Sequence, residues 1–374
     1  MKIVYCIAGT YNSGGMERVL SNKANYLTNL GHEIIIVTTE QRGRAAFFRF
    51  DERIRFYDLN INYEENNGRS LLNKAINYPV KQIRHRYKLV NLLKKLQADI
   101  VVSMFCNEAS FLAGIKDGSK KILEVHFSRY KRLQYGRKGL WRLADKIRSA
   151  NDLKVCQRYD RFVVLTNEDK EYWGDLDNIR VIPNARSFTF DKPAELLGKR
   201  VIAVGRFNFQ KGYDRLIKAW EIVCKKVTNA TLTILGEGEL KENIQELVDK
   251  LNLSDSVSLG NATEDIKKIY QNSSILVMTS HYEGLPMVLL EAQAAGLPIV
   301  SFACKCGPRD VIDDGLSGFL VEDGDIQSLA DRIVTLLADY SLRRKMGANA
   351  YHNSSNYDEV YVMDKWIELF NSLV

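Results

Sequence analysis

The chain has 374 residues, 45% of them hydrophobic and 26% charged, which is long for one core and suits two domains of ordinary size. No low-complexity tract or fixed-period repeat is present, and the longest apolar runs, such as IIIV at 34–37, fall far short of a membrane span. The net charge of +7 hides an asymmetry: residues 1–186 hold 33 Lys and Arg against 20 Asp and Glu, whereas 187–374 hold 20 against 26.

Taken in chain order, apolar runs of strand length alternate with longer amphipathic stretches, the pattern of βαβ units and parallel sheets. The opening MKIVYCIAG has too short an apolar run for a secretory leader and reads as a buried first strand, 2–8. Further strands are predicted at 33–39, 99–104, 120–126 and 161–166, and VIPNA at 181–185 reads as a hinge. In the second half, strands are predicted at 200–205, 230–236, 257–260, 274–279, 298–302 and 318–322, with helices at 212–227, 238–252, 286–296 and 325–339. A last amphipathic helix, 357–372, is placed to cross back onto the first domain. The fold class is therefore α/β: two doubly wound Rossmann-like domains, 1–186 and 187–356, with 357–374 returning to the first. They face across a cleft at the carboxyl ends of their strands, where ligands of such sheets bind.

Several residues at those strand ends carry chemistry. Gly14 and Gly15 open a helix after the first strand, so that backbone N–H groups can approach a diphosphate without an intervening Cβ; taken alone, the pair reads as a turn. There is no G-x-G-x-x-G and no acid ending the second strand, so a nicotinamide dinucleotide is not supported. Past Gly205, Arg206 and Lys211 share a βα loop and can present two cations to one pyrophosphate, the alternative being two solvated charges. LGEGEL at 235–240 adds Gly236 and Glu237. In HYEGLPMVLLEA (281–292), a helix starting near Pro286 puts Glu291 about five residues in. Glu283 then lies in the preceding loop, close to free N–H groups and the positive end of the helix dipole. That spacing suits a polar, partly anionic ligand with hydroxyls at both ends. His126 ends a strand aimed at the cleft and reads equally as a core histidine or a site group. Asp175-Leu-Asp177 and Asp323-Gly-Asp325 read as structural, Asp325 as a helix N-cap, so no metal and no cofactor is expected.

Together these residues resemble the family 4 retaining glycosyltransferases, which have the GT-B fold. The resemblance is carried by Gly14-Gly15, VGRFNFQKG (204–212), LGEGEL, Glu283 and Glu291 inside EGLPMVLLEAQAAGLPIV, and GPRDVIDDGLSGFLVEDGD (307–325). It implies a nucleotide diphosphate sugar as donor, a UDP-hexose or UDP-N-acetylhexosamine, with guanosine as the alternative. It implies that Glu291 accepts from the ribose and that Glu283 holds the transferred sugar. Gly284, Leu285, Pro286 and Met287 would lie beside that sugar and the phosphates. Arg206 and Lys211 would neutralise the leaving diphosphate in place of a metal. His126 would meet the sugar from the other domain, and no protein nucleophile is named.

The basic first half fits an anionic acceptor at a membrane, and the resemblance implies a polyprenyl-diphosphate-linked oligosaccharide or a surface polysaccharide. Residues 129–148 combine Arg129, Arg132, Arg137, Lys138 and Arg142 with Trp141, the mixture expected at a lipid surface; the blander alternative is a solvated cationic helix pair. No nucleic-acid module accompanies the charge. Six scattered cysteines read as reduced thiols, which points to a cytoplasmic protein, peripheral on the inner face of the membrane. Two alternatives stand beside this reading. A nucleotide-sugar 2-epimerase would need no acceptor. A non-catalytic binding protein would be expected to lack some of Arg206, Lys211, Glu283 and Glu291.

Overall fold

The computed structural model describes residues 1–66, 71–134, 139–263 and 265–374. Its strands form two sheets, parallel throughout. The first contains β1 (Lys2–Ile7), β2 (Glu33–Thr38), β3 (Arg55–Asp58), β4 (Ile100–Ser103), β5 (Lys120–Glu124), β6 (Arg161–Val164) and β7 (Ile179–Val181), in the order β3-β2-β1-β4-β5-β6-β7. The second contains β8 (Arg200–Val204), β9 (Thr231–Leu235), β10 (Val257–Gly260), β11 (Ile275–Met278), β12 (Ile299–Phe302) and β13 (Gly318–Val321), in the order β10-β9-β8-β11-β12-β13. Strand order reverses between β1 and β4 and between β8 and β11. The loops that open a ligand crevice are therefore those after β1, β8 and β11.

Central strands read as unbroken apolar runs because both of their faces are covered. Ile34, Ile35, Ile36 and Val37 of β2 are all buried. On one face of the first sheet lie Leu89, Leu93 and Val155 from the helices Leu71–Leu96 and Leu140–Cys156. On the other lie Leu20, Ala24 and Leu27 from Gly15–Asn29, together with Val362, Met363, Trp366 and Phe370 from the last helix, Glu359–Asn371. The chain therefore leaves the first sheet, builds the second, and returns to close the core of the first.

Two edge strands, β3 and β7, were not predicted. Three of the four residues of RFYD in β3 are exposed and half are charged, and β7 is three residues long. Neither has an apolar run, and both are strands because a neighbour's backbone pairs with them. β5 stops at Glu124, so His126 lies two residues beyond it in the following loop.

Candidate functional site

The two sheets meet where the loop after β11 reaches the loop after β5. A Cβ on Gly284 would lie 2.5 Å from the His126 carbonyl oxygen, so any side chain there would push the domains apart. Beside this seam, Lys211 Nζ donates to Glu283 Oε1 at 2.7 Å, and Gln210 Nε2 donates to Glu283 Oε2 at 3.2 Å. Glu283 is 7% exposed, so the Lys211 ammonium compensates a carboxylate that water barely reaches. Gly205 and Gly236 bring the loops after β8 and β9 back to back, since a Cβ on Gly236 would overlap the Gly205 carbonyl. The Phe207 N–H donates to the Glu237 carbonyl at 2.8 Å across the same contact.

The helix after β11, Met287–Ala294, begins directly after Pro286 and is buried along most of its length, including Leu289, Leu290, Ala292 and Ala294. Glu291 sits in this apolar setting with three partners. Ser187 Oγ donates to Oε1 at 2.9 Å, the Tyr270 hydroxyl donates to Oε2 at 3.0 Å, and Arg18 lies 3.6 Å from Oε1. Burial raises the Glu291 carboxyl above its ordinary range, while Ser187 and the Arg18 charge work against that rise. Pro286 has no N–H, and Leu285 turns its side chain into the core, so the loop offers a ligand backbone rather than these side chains.

From the first domain, Gly14 caps the helix Gly15–Asn29, and the Glu17 carboxylate folds back onto it. Burial raises the Glu17 carboxyl, and Arg206 and His126 oppose the rise, so residues from both domains act on this one acid. Arg206 itself is exposed. His126 Nε2 lies 3.1 Å from Glu124 Oε1, off the line of a good hydrogen bond.

Lys211, Glu283, Gly284 and His126 thus converge at one seam, with Glu291 on the adjoining helix. Arg18, Ser187, Tyr270 and Gln210 complete the site, although sequence reasoning missed them. Arg18 follows Gly15 by three residues in a helix known to open at the cleft, which was the one available signal. Asp325 is an N-cap, accepting from Ser328 N at 2.9 Å, and Asp323 pairs with Arg215 at 2.8 Å. Among the described residues no group of three His, Cys, Asp or Glu side chains could hold a metal ion. The cysteines are free, and Cys306 lies at the domain seam with Sγ 3.4 Å from Ser128 Oγ and Asp169 Oδ1.

In the basic segment, Arg129 turns inward: its guanidinium donates to Ser149 O at 2.7 Å and lies 4.5 Å from the Trp173 ring centre. It does not join a cationic outer face. Arg142 is exposed on the helix Leu140–Cys156, beside exposed Leu143 and Ile147. Arg137 and Lys138, and the side chains of Arg132 and Trp141, lie outside the described residues.

Two parallel-sheet domains facing across switch-point loops, with charged groups from both at the seam, define the GT-B class. The profile of Glycosyl transferases group 1 matches residues 187–353, and that of Glycosyltransferase Family 4 matches residues 13–187. An uncharacterised glycosyltransferase of Haemophilus influenzae is 31% identical over 373 residues, 98% of each chain. A Campylobacter jejuni protein is 25% identical over 375 residues, 99% of this chain and 98% of that one. Its name is GalNAc-alpha-(1->4)-GalNAc-alpha-(1->3)-diNAcBac-PP-undecaprenol alpha-1,4-N-acetyl-D-galactosaminyltransferase. Among solved structures, a TarM variant of S. aureus in complex with fondaparinux, alpha-GlcNAc-glycerol and UDP superposes with a TM-score of 0.79 at 20% identity, over 99% of both chains. The chain belongs to the family 4 glycosyltransferases.

Proposed function

We propose that this glycosyltransferase moves a sugar, with retention of configuration, from a uridine diphosphate sugar to a lipid-linked or polysaccharide acceptor in bacterial surface-glycan synthesis. The observation that carries the reading is the seam at which the Lys211–Glu283 pair adjoins Gly284, packed against the His126 carbonyl, with Glu291 on the next helix. UDP in the TarM complex supports the donor, and the undecaprenol in the Campylobacter name supports the acceptor. Retention rests on the family resemblance.

In this reading Glu291 receives the ribose hydroxyls, and Glu283, already oriented by Lys211 and Gln210, receives hydroxyls of the sugar. Arg206 and Lys211 face the diphosphate and stabilise the charge that develops on it as the glycosidic bond breaks. No divalent ion is then required. A panel of nucleotide sugars scored by thermal shift, followed by turnover against lipid-linked acceptors, tests the assignment. Transfer is expected to continue undiminished in excess EDTA; loss on chelation that magnesium or manganese restores would refute the metal-free mechanism.

The acceptor reading places the first domain against an anionic bilayer. No helix of the described residues is long and apolar enough to cross one. The helix Leu71–Leu96 instead exposes Ile76, Val80, Ile83 and Tyr87 at 66, 60, 71 and 69%, an outward stripe at helical spacing. There is no acid anywhere in that helix, and Arg84 and Arg86 lie on its exposed part. Each Lys or Arg near an anionic surface contributes about 1 kcal/mol, fading within a Debye length as salt rises. The protein is expected to sediment with anionic vesicles at low salt and not with neutral ones. Two variants are expected to stay in the supernatant, one with Val80, Ile83 and Tyr87 changed to Ser, the other with Arg132, Arg137, Lys138 and Arg142 changed to Ser. Equal sedimentation of all three proteins would make both segments solvated faces and favour a soluble acceptor.

A further inference from the structure

Directly behind His126 lies a buried charged cluster with no part in donor or acceptor binding as described so far. Lys23, on the helix Gly15–Asn29, is 5% exposed and donates to Glu124 Oε1 at 2.5 Å. The same Glu124 oxygen faces His126 Nε2 at 3.1 Å. Trp366, from the returning last helix, covers the ammonium with its ring centre 3.6 Å from Lys23 Nζ. Glu124 Oε2, His126 Nε2 and the Tyr5 hydroxyl are all buried here without a hydrogen-bond partner.

An apolar group in place of each of these would pack without desolvation cost, so stability alone gives little reason for two buried charges here. The contact of Lys23 with Trp366 accounts for a buried cation and its counter-charge, but not for that carboxylate lying at the end of β5 within 3.1 Å of a histidine. Burial pushes the Glu124 carboxyl up, yet Lys23 and His126 outweigh it and hold it at about 2, so it is ionised throughout the working range. An ionised carboxylate is acceptor-only, so at 3.1 Å it favours electrostatically the imidazole tautomer with the proton on Nε2, and a small turn of the ring would complete the hydrogen bond.

We propose that Glu124 is a positioning residue for sugar transfer. Its charge biases the His126 ring toward the orientation with the proton on Nε2 and leaves Nδ1 for the transferred sugar, and Glu124 relies on Lys23 to remain charged in the interior. The inference rests on the reading of the chain as a transferase whose His126 meets the donor sugar. Glu17 is another charged group near this histidine, and it is not altered in the test.

The test is a double-mutant cycle between Glu124→Gln and His126→Ala, with UDP affinity and thermal melting measured beside turnover. Glu124→Gln keeps the shape but removes the charge. It is expected to lower kcat about tenfold to a hundredfold, the scale of misplacing a group by ~1 Å, with UDP affinity unchanged. In the His126→Ala background the same change is expected to cost nothing further. Equal losses in both backgrounds would make Glu124 a purely structural residue and overturn the inference alone. Normal turnover in His126→Ala would overturn the underlying reading of His126 instead. Should Glu124→Gln melt early because Lys23 is left charged and unpaired, the cycle is run with Lys23→Met/Glu124→Gln, which keeps the interior neutral, and the same outcomes decide.

Discussion

Arg206→Ala is expected to cut turnover by about a hundredfold or more while leaving the melting temperature unchanged. Removal of one preorganised transition-state charge contact costs roughly a hundred- to a thousandfold. Arg206 is exposed, so its loss strands no buried group and gives little reason for the fold to weaken. Lys211→Ala is expected to match that loss and to lower the melting temperature as well. Its ammonium is the cation 2.7 Å from Glu283, a carboxylate 7% exposed, and an unpaired buried charge is destabilising. The contrast separates catalysis from folding within one loop. Turnover of Arg206→Ala within about threefold of the parent protein would remove Arg206 from the diphosphate site.

The two glutamates are expected to fail in different ways. Glu291→Gln should weaken binding of UDP itself by about tenfold or more, the scale of one hydrogen bond to a charged group. Glu283→Gln should leave UDP affinity nearly intact and reduce turnover of the sugar donor. The structure adds a pH dependence to the first of these. Because burial raises the Glu291 carboxyl, it takes up a proton at a higher pH than an exposed glutamate would. The protonated form has lost an acceptor for the ribose, so UDP affinity should fall early on acidification. Glu291→Gln should abolish that part of the pH profile. Calorimetric titration across about pH 4 to 8, a range spanning the ordinary glutamate and histidine values, measures both effects. Equal losses of UDP affinity in the two variants would contradict the division of labour.

The amino-acid sequence alone determined what depends on neighbours along the chain. Continuous apolar runs such as IIIV specify strands buried on both faces, and their alternation with amphipathic stretches specifies parallel sheets. Pro286 specifies where its helix starts, and the eight-residue spacing then places Glu283 before it and Glu291 within it. β3 and β7 were not legible because, although Phe56, Tyr57, Ile179 and Val181 favour strands, each element is only three or four residues long and interrupted or flanked by charge, and pairing supplies the rest.

What each site residue touches was decided by tertiary packing. Lys211 and Glu283 are 72 positions apart, and Arg18 meets Glu291 from the other domain. The Lys23–Glu124 pair spans 101 positions, and the Trp366 ring that covers it arrives only when the last helix returns to the first domain. No local pattern encodes such pairs, because the free energy that brings them together comes from burying the two sheets and their helices. The charges are carried along by that packing. A sequence can therefore show that Arg129 is a cation in a basic segment, but only the fold turns its guanidinium inward onto Ser149 and Trp173.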